Sequence, residues 1–232
     1  MKKFFIYFIF ILLPVINKAG PEQLNSGSEV KIDLYTELNL SAYGLSNDVF
    51  QFAVKGHHKL EAAGKLENPD ILTIIDFSQS SKNKRMYVID FSTHTLIFNT
   101  LVAHGRNTGE EFAKNFSNVE GTLKSSLGFY VTKNQALGSK VGLSLILDGV
   151  EKGFNDNAIS RQIIMHGADY ATEDFIRRTG RLGRSYGCPS LPPDLIKPVI
   201  ASIEKGTCLF IYHPDVDYLH NSSLLNEPIC QK

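Results

Sequence analysis

From Asp70 onward the chain is a succession of short apolar runs: DILTIIDFS (70–78), RMYVIDFS (85–92), TLIFNTLVAHG (95–105), LGFYVT (127–132), LSLIL (143–147) and RQIIMHG (161–167). They are rich in Ile, Val, Phe, Tyr and Thr and are separated by Ser, Asn, Gly and Lys, the pattern of strands bounded by turns. Segments of helical length do not alternate regularly with these runs, which excludes a doubly wound parallel sheet. The reading is a β-rich domain with a short helix at Thr172–Arg178 and a second at Asp194–Lys205, where Pro198 is a stress point. A last strand is expected at Thr207–Tyr212.

Ahead of this domain, Val30, Leu34 and Leu38 recur at four-residue spacing, and Phe50, Ala53, Val54 and His57 do much the same. With Gly44 and Gly64 at their ends, the two stretches predict amphipathic helices. Residues 21–28 (PEQLNSGS) are polar and rich in breakers, a linker. The first residues place Lys2 and Lys3 before an apolar run from Phe4 to Leu13, too short to span a bilayer and of the form of an export signal cut near Ala19 or Gly20. The expected division is a signal at 1–20, a helical segment at 21–69 and a main domain at 70–232 in a periplasmic or secreted protein, with membrane contact only through the signal if it is left uncut. Lys plus Arg and Asp plus Glu number 24 each, so no bulk positive field argues for nucleic acid.

Outside the cytosol a cysteine count is informative. Cys188, Cys208 and Cys230 are three, so at least one is left without an intrachain bridge; a Cys208–Cys230 bridge is one arrangement that frees Cys188. Cys208 lies in the apolar TCLFIY and reads as a strand residue. Cys188 lies in GRSYGCPSLP (183–192), where Gly187 and Pro189 favour a tight turn that exposes what a strand would bury. A nucleophilic thiol needs a nearby base or cation, and His166, at a strand end before Gly167 and 22 residues upstream of Cys188, is the candidate. Pairing with an imidazolium predicts a depressed thiol pKa, and the N–H groups of Gly187 and Cys188 are placed to form an oxyanion hole. A zinc site from His166, Cys188 and His213 lacks the paired-ligand spacing such sites use. The P-loop and G-x-G-x-x-G patterns are absent.

His166-Gly167, a loop and then Ser185-Tyr186-Gly187-Cys188 resemble the signature of the L,D-transpeptidases of bacterial cell walls, the YkuD-like family. VAHGRNTG (102–109), SSLGFYVT (125–132), GVEKGFNDNAISRQIIMHGADY (149–170) and RLGRSYGCPSLP (181–192) carry the resemblance, which covers about Asp70 to Pro214. It implies a mainly β fold, a β-sandwich catalytic domain with two N-terminal helices and short helices in loops. It also implies an acyl transfer from peptidoglycan stem peptides to an amine acceptor, without metal or organic cofactor. Carried over, Cys188 is the nucleophile and His166 the base, while Ser185, Gly187 and Gly167 shape the site. An L,D-carboxypeptidase with the same dyad and a noncatalytic wall-binding module are the alternatives. The family pattern commonly continues after cysteine with Ile or Val and then Arg, whereas here Pro189 and Ser190 follow. Arg184, in a loop with arginines at 177, 178 and 181, is the candidate to supply that charge to substrate or else is a solvated loop cation. Tyr170 and Tyr186 line the pocket or simply pack, and His104 is read as an ordinary strand-end histidine.

Overall fold

The computed structural model describes residues 30–226; the expected export signal at 1–20, the expected linker at 21–28 and Cys230, with any bridge to it, lie outside the described residues. Helix α1 (Val30–Glu37) leads through a 3-10 turn (Leu40–Tyr43) into α2 (Asn47–Ala62). Gly44 closes the 3-10 turn at φ 85, a left-handed conformation that a side chain would resist. The Ser46 side chain accepts the Val49 N–H at 3.3 Å and so caps the start of α2. Val49, Phe50, Ala53, Val54, His57 and Leu60 form the buried face of α2. Gly56 lies on that same face, because a Cβ there would come 2.0 Å from Cζ of Phe129.

Eight strands, β1 (Ile71–Asp76), β2 (Met86–Asp90), β3 (Thr95–Thr100), β4 (Gly128–Gly138), β5 (Gly142–Gly149), β6 (Ile164–Gly167), β7 (Ser190–Leu191) and β8 (Cys208–Tyr212), join one sheet. Their order is β3-β2-β1-β8-β4-β5-β6-β7. Two pairs are parallel, β1 with β8 (Leu72 opposite Cys208) and β6 with β7 (His166 opposite Ser190). The remaining pairs are antiparallel. β1 and β8 are buried at every residue, as expected of strands whose apolar runs do not alternate. Helix α2 packs against β1 and β8, and α4 (Ile196–Ile203) against β5 and β1. One apolar cluster runs through both helices and the sheet.

Four elements differ from the sequence expectation for physical reasons. Pro198 is the third residue of α4, where a missing N–H costs no intrahelical bond, so it is compatible with the helix start and is no stress point. β4 and β5 continue past their apolar runs as an exposed hairpin, since the ladder needs only backbone groups to extend. β3 stops at Thr100, and residues 101–106 instead bridge to the segment at 185–190. The short helix α3 (Glu173–Thr179) forms where expected; the Thr172 side chain caps its start at 3.2 Å from the Phe175 N–H and Gly180 ends it at φ 81. Beyond β8, α5 (Val216–Asn221) and α6 (Ser223–Asn226) are tied to the sheet by buried Glu151, whose Oε2 accepts the Phe129 N–H at 2.8 Å and the Tyr218 hydroxyl at 2.9 Å.

Candidate active site

The turn bearing Cys188 is closed by its own serine. Ser185 Oγ accepts the Gly187 N–H at 3.1 Å and donates to the Cys188 carbonyl at 2.5 Å. Gly187 has φ 130, and a Cβ there would approach the Lys124 carbonyl oxygen to 2.9 Å, so both conformation and space select glycine. Ser125 fastens the outside of the turn, its Oγ donating to the Gly187 carbonyl at 2.9 Å. The Gly187 N–H expected in an oxyanion hole is thus engaged by Ser185 in this state.

Behind the turn, residues 101–106 serve as a neighbouring strand. Ala103 and Ser190 exchange both backbone hydrogen bonds (2.8 and 3.2 Å), Ser185 N–H donates to the His104 carbonyl at 3.0 Å, and Arg106 N–H donates to the Ser185 carbonyl at 2.7 Å. Arg85 holds this segment from within the core. Its guanidinium is fully buried over the Phe77 ring and donates to the carbonyls of Val102 and Gln79 and to His104 Nδ1 at 2.9 Å. Burial pushes its pKa down to about 9, with Asp76 pulling the other way. His104, whose Nε2 faces the Gly109 carbonyl at 3.2 Å, is driven down to about 3 by burial and the Arg85 charge. It is a buried structural histidine behind the site rather than a group in it.

Strand β6 delivers His166 and Gly167 beside this turn. His166 is 6% exposed; Nδ1 lies 2.9 Å from the Gly167 carbonyl and Nε2 lies 3.1 Å from Ser190 Oγ. A carbonyl only accepts, so Nδ1 carries a proton, and in the neutral ring Nε2 presents its lone pair. Among the described residues no hydrogen bond joins His166 to Cys188; the thiol instead faces the Gln162 carbonyl at 3.8 Å. Gln162 holds φ 56, a conformation uncommon for a residue with a side chain, immediately beside the thiol. Burial pushes the Cys188 thiol up, while the Ile164 N–H and the Arg161 charge pull it down. The resting thiol is therefore not the depressed one that a direct imidazolium pair predicts.

Cys188, His166 and Tyr170 share one open cleft of about 970 Å³ whose lining also includes Arg106, Lys140 and Arg184. Tyr170 places its hydroxyl 3.1 Å from Ser190 Oγ, while Tyr186 is 71% exposed at the cleft. Arg184 is largely committed, donating to the Arg106 and Gly109 carbonyls and pairing with Glu110 at 2.6 Å. Glu110 also pairs with Arg181 at 2.6 Å. Arg106 is exposed and enters no ion pair among the described residues. His213 packs against Phe116 and is not part of the cleft lining, so the described geometry does not assemble a His166, Cys188, His213 ligand set.

Two groups at the site were given no role by the sequence. Arg161 donates to the carbonyls of Ser117 and Lys124 at 2.7 Å each and to Ser126 Oγ, binding the 117–126 loop beside the thiol. Ser190, conspicuous in the sequence only for standing where relatives carry arginine, is the direct partner of His166.

Residues 41–212 match the family model of the L,D-transpeptidase catalytic domain, and the chain belongs to that family. Among solved structures it is similar to an L,D-transpeptidase from Mycobacterium smegmatis (10% identity, 62% of this chain and 59% of that one, TM-score 0.39). It is also similar to the Enterococcus faecium L,D-transpeptidase (17%, 62% and 50%, TM-score 0.38). A third is the helical cell shape determining protein Pgp2 from Campylobacter jejuni (14%, 68% and 56%, TM-score 0.42). The chain spans between 50% and 59% of the length of these three. No curated protein matches it. None of the described helices is long and apolar enough to cross a membrane.

Proposed function

We propose that the chain is an exported peptidoglycan L,D-transpeptidase in which Cys188 is the nucleophile and His166 the base. The observation that carries this reading is the meeting of these two side chains, 22 residues apart in sequence, in one cleft, with the Nδ1 proton of His166 anchored on the Gly167 carbonyl and Nε2 left as acceptor. In the reaction His166 Nε2 takes the thiol proton as Sγ attacks the carbonyl preceding the terminal D-alanine of a stem peptide. The C–N bond breaks, the departing amine receives that proton, and a thioester remains on Cys188. An acceptor amine then attacks the thioester, gives its proton to His166 and restores the thiol as the new amide forms. The Cys188 N–H and the Gly187 N–H, once drawn from Ser185, are the donors for the oxyanion.

Arg106 is the cation that receives a substrate carboxylate, since Glu110 holds Arg184 and Arg181. Arg184 shapes that rim, Tyr186 covers the cleft, and the peptide lies between Arg106 and Lys140. Incubation with disaccharide tetrapeptide and mass spectrometry of the products tests the reading. Cross-linked dimers support amine transfer; tripeptide alone assigns the enzyme as an L,D-carboxypeptidase; unchanged substrate with wild-type protein contradicts both and leaves a wall-binding module.

A further inference from the structure

We propose that Ser190 is a positioning residue whose hydroxyl occupies the Nε2 lone pair of His166 and frees it for Cys188 by turning its hydrogen to the Cys188 carbonyl. The inference rests on the reading of Cys188 and His166 as nucleophile and base. Strand β7 consists of two residues, paired parallel to β6 so that Ser190 lies opposite His166. Ser190 is fully buried, with Oγ 3.1 Å from His166 Nε2, 3.1 Å from the Tyr170 hydroxyl and 3.5 Å from the Cys188 carbonyl oxygen.

The directions of these bonds follow from what each group is able to donate. With the proton of His166 on Nδ1, Nε2 only accepts, and the hydrogen aimed at it is that of Ser190. The Ser190 oxygen then accepts from Tyr170, and the chain runs one way, Tyr170 to Ser190 to His166. The lone pair that a general base needs is occupied, and the thiol is left with its long contact to Gln162. Release is a local event: the Ser190 hydrogen turns to the Cys188 carbonyl, whose other lone pair already takes Ser185 Oγ. Tyr170 keeps its donation, and Nε2 is free to receive the S–H proton, one S–H bond breaking as one N–H bond forms. A guanidinium at this position, in the family's common pattern, has no acceptor and is unable to take the Tyr170 hydrogen.

The test is the rate of Cys188 alkylation by iodoacetamide across about pH 5 to 10, read on the Cys188 peptide by mass spectrometry so that Cys208 and Cys230 do not contribute. Four full-length proteins are compared: wild type, Ser190→Ala, Ser190→Thr and Tyr170→Phe. The charged and titratable groups around the thiol are His166, Arg161, Tyr170 and Tyr186, with Arg106, Lys140, Asp169, Arg181 and Arg184 further along the cleft; all remain in Ser190→Ala, and Tyr170→Phe removes one. Ser190→Ala is expected to raise the rate at pH 7 about tenfold and move the midpoint to lower pH, because His166 becomes available to the thiol. Tyr170→Phe is expected to move it the same way by less, and Ser190→Thr, which keeps the hydroxyl, to leave the wild-type profile. An unchanged or slower Ser190→Ala reaction overturns the proposal. If that variant does not fold by thermal melting, an unchanged or upward-shifted Tyr170→Phe profile overturns it instead. Alkylation needs no peptidoglycan, so failure here leaves the substrate reading standing, and a shifted profile without any muropeptide product fails that reading alone.

Discussion

At the scale of single residues, the thiol of Cys188 is set by opposing effects of its neighbours. Burial raises its pKa, and the charge of Arg161 and the Ile164 N–H oppose that rise. The thiolate fraction is consequently small at pH 7 and grows as pH rises through the raised pKa, so alkylation should climb above the range of an ordinary thiol. Arg161→Gln removes a charge that favours thiolate and should slow alkylation at pH 7 by about threefold to tenfold, with Arg161→Lys intermediate. Equal rates in all three proteins would remove Arg161 from the account. Arg106 and Arg184 divide along a different line. Arg106→Ala should raise KM for stem peptide by about tenfold with kcat little changed, as loss of a charge-assisted contact requires. Arg184→Ala, which takes one of its two arginine partners from Glu110 and a donor from two carbonyls, should instead lower the melting temperature; a KM effect confined to Arg184 would reverse the assignment. Cys188, His166 and the glycines around them were legible in the sequence because a thiol between turn formers and a histidine at a strand end are local patterns. The Ser190 and Arg161 contacts were not, because they depend on the β6–β7 pairing and on a loop some 40 residues away from Arg161 in the chain.

Among the elements, the runs that begin at Asp70 foretold the strands well where both faces are buried. They foretold them poorly where polar backbone pairing extends a ladder, as in the β4–β5 hairpin. The sheet order was not readable at all, since the parallel pairing of β1 with β8 joins residues more than 130 apart and no local propensity encodes it. That seam is where α2 docks. Phe129 on β4 stacks on Phe210 of β8 with ring centroids 4.1 Å apart, and its edge fills the space left by Gly56. Gly56→Ala should therefore destabilise despite the better helix former: overpacking costs about 1–3 kcal/mol against a propensity gain of about 1 kcal/mol. A melting temperature several degrees lower is expected, and a higher one would mean that α2 does not sit on Phe129 as described.

At the scale of the whole molecule, the helices ahead of Asp70 and the turn between them contribute Leu40, Leu45, Val49, Phe50, Ala53, Val54 and Leu60 to the same core as the sheet. We propose that they are part of the folding unit rather than an appendage, in line with a family match that begins at residue 41. A chain starting at Asp70 should lose cooperative unfolding or melt far below one starting at residue 30; equal melting temperatures would make the helices a separate segment. The same packing sets the site, since the sheet holds β6, the core-bound Arg85 holds the 101–106 segment, and both hold the turn that carries Cys188. The most direct test of that assembly is the covalent intermediate itself. Wild-type protein mixed with disaccharide tetrapeptide, quenched in acid and digested, should yield the Cys188 peptide carrying the acyl group as a thioester, absent from Cys188→Ala and much reduced in His166→Gln. An acyl group found on another residue, or undiminished product formation by Cys188→Ala, would contradict the account.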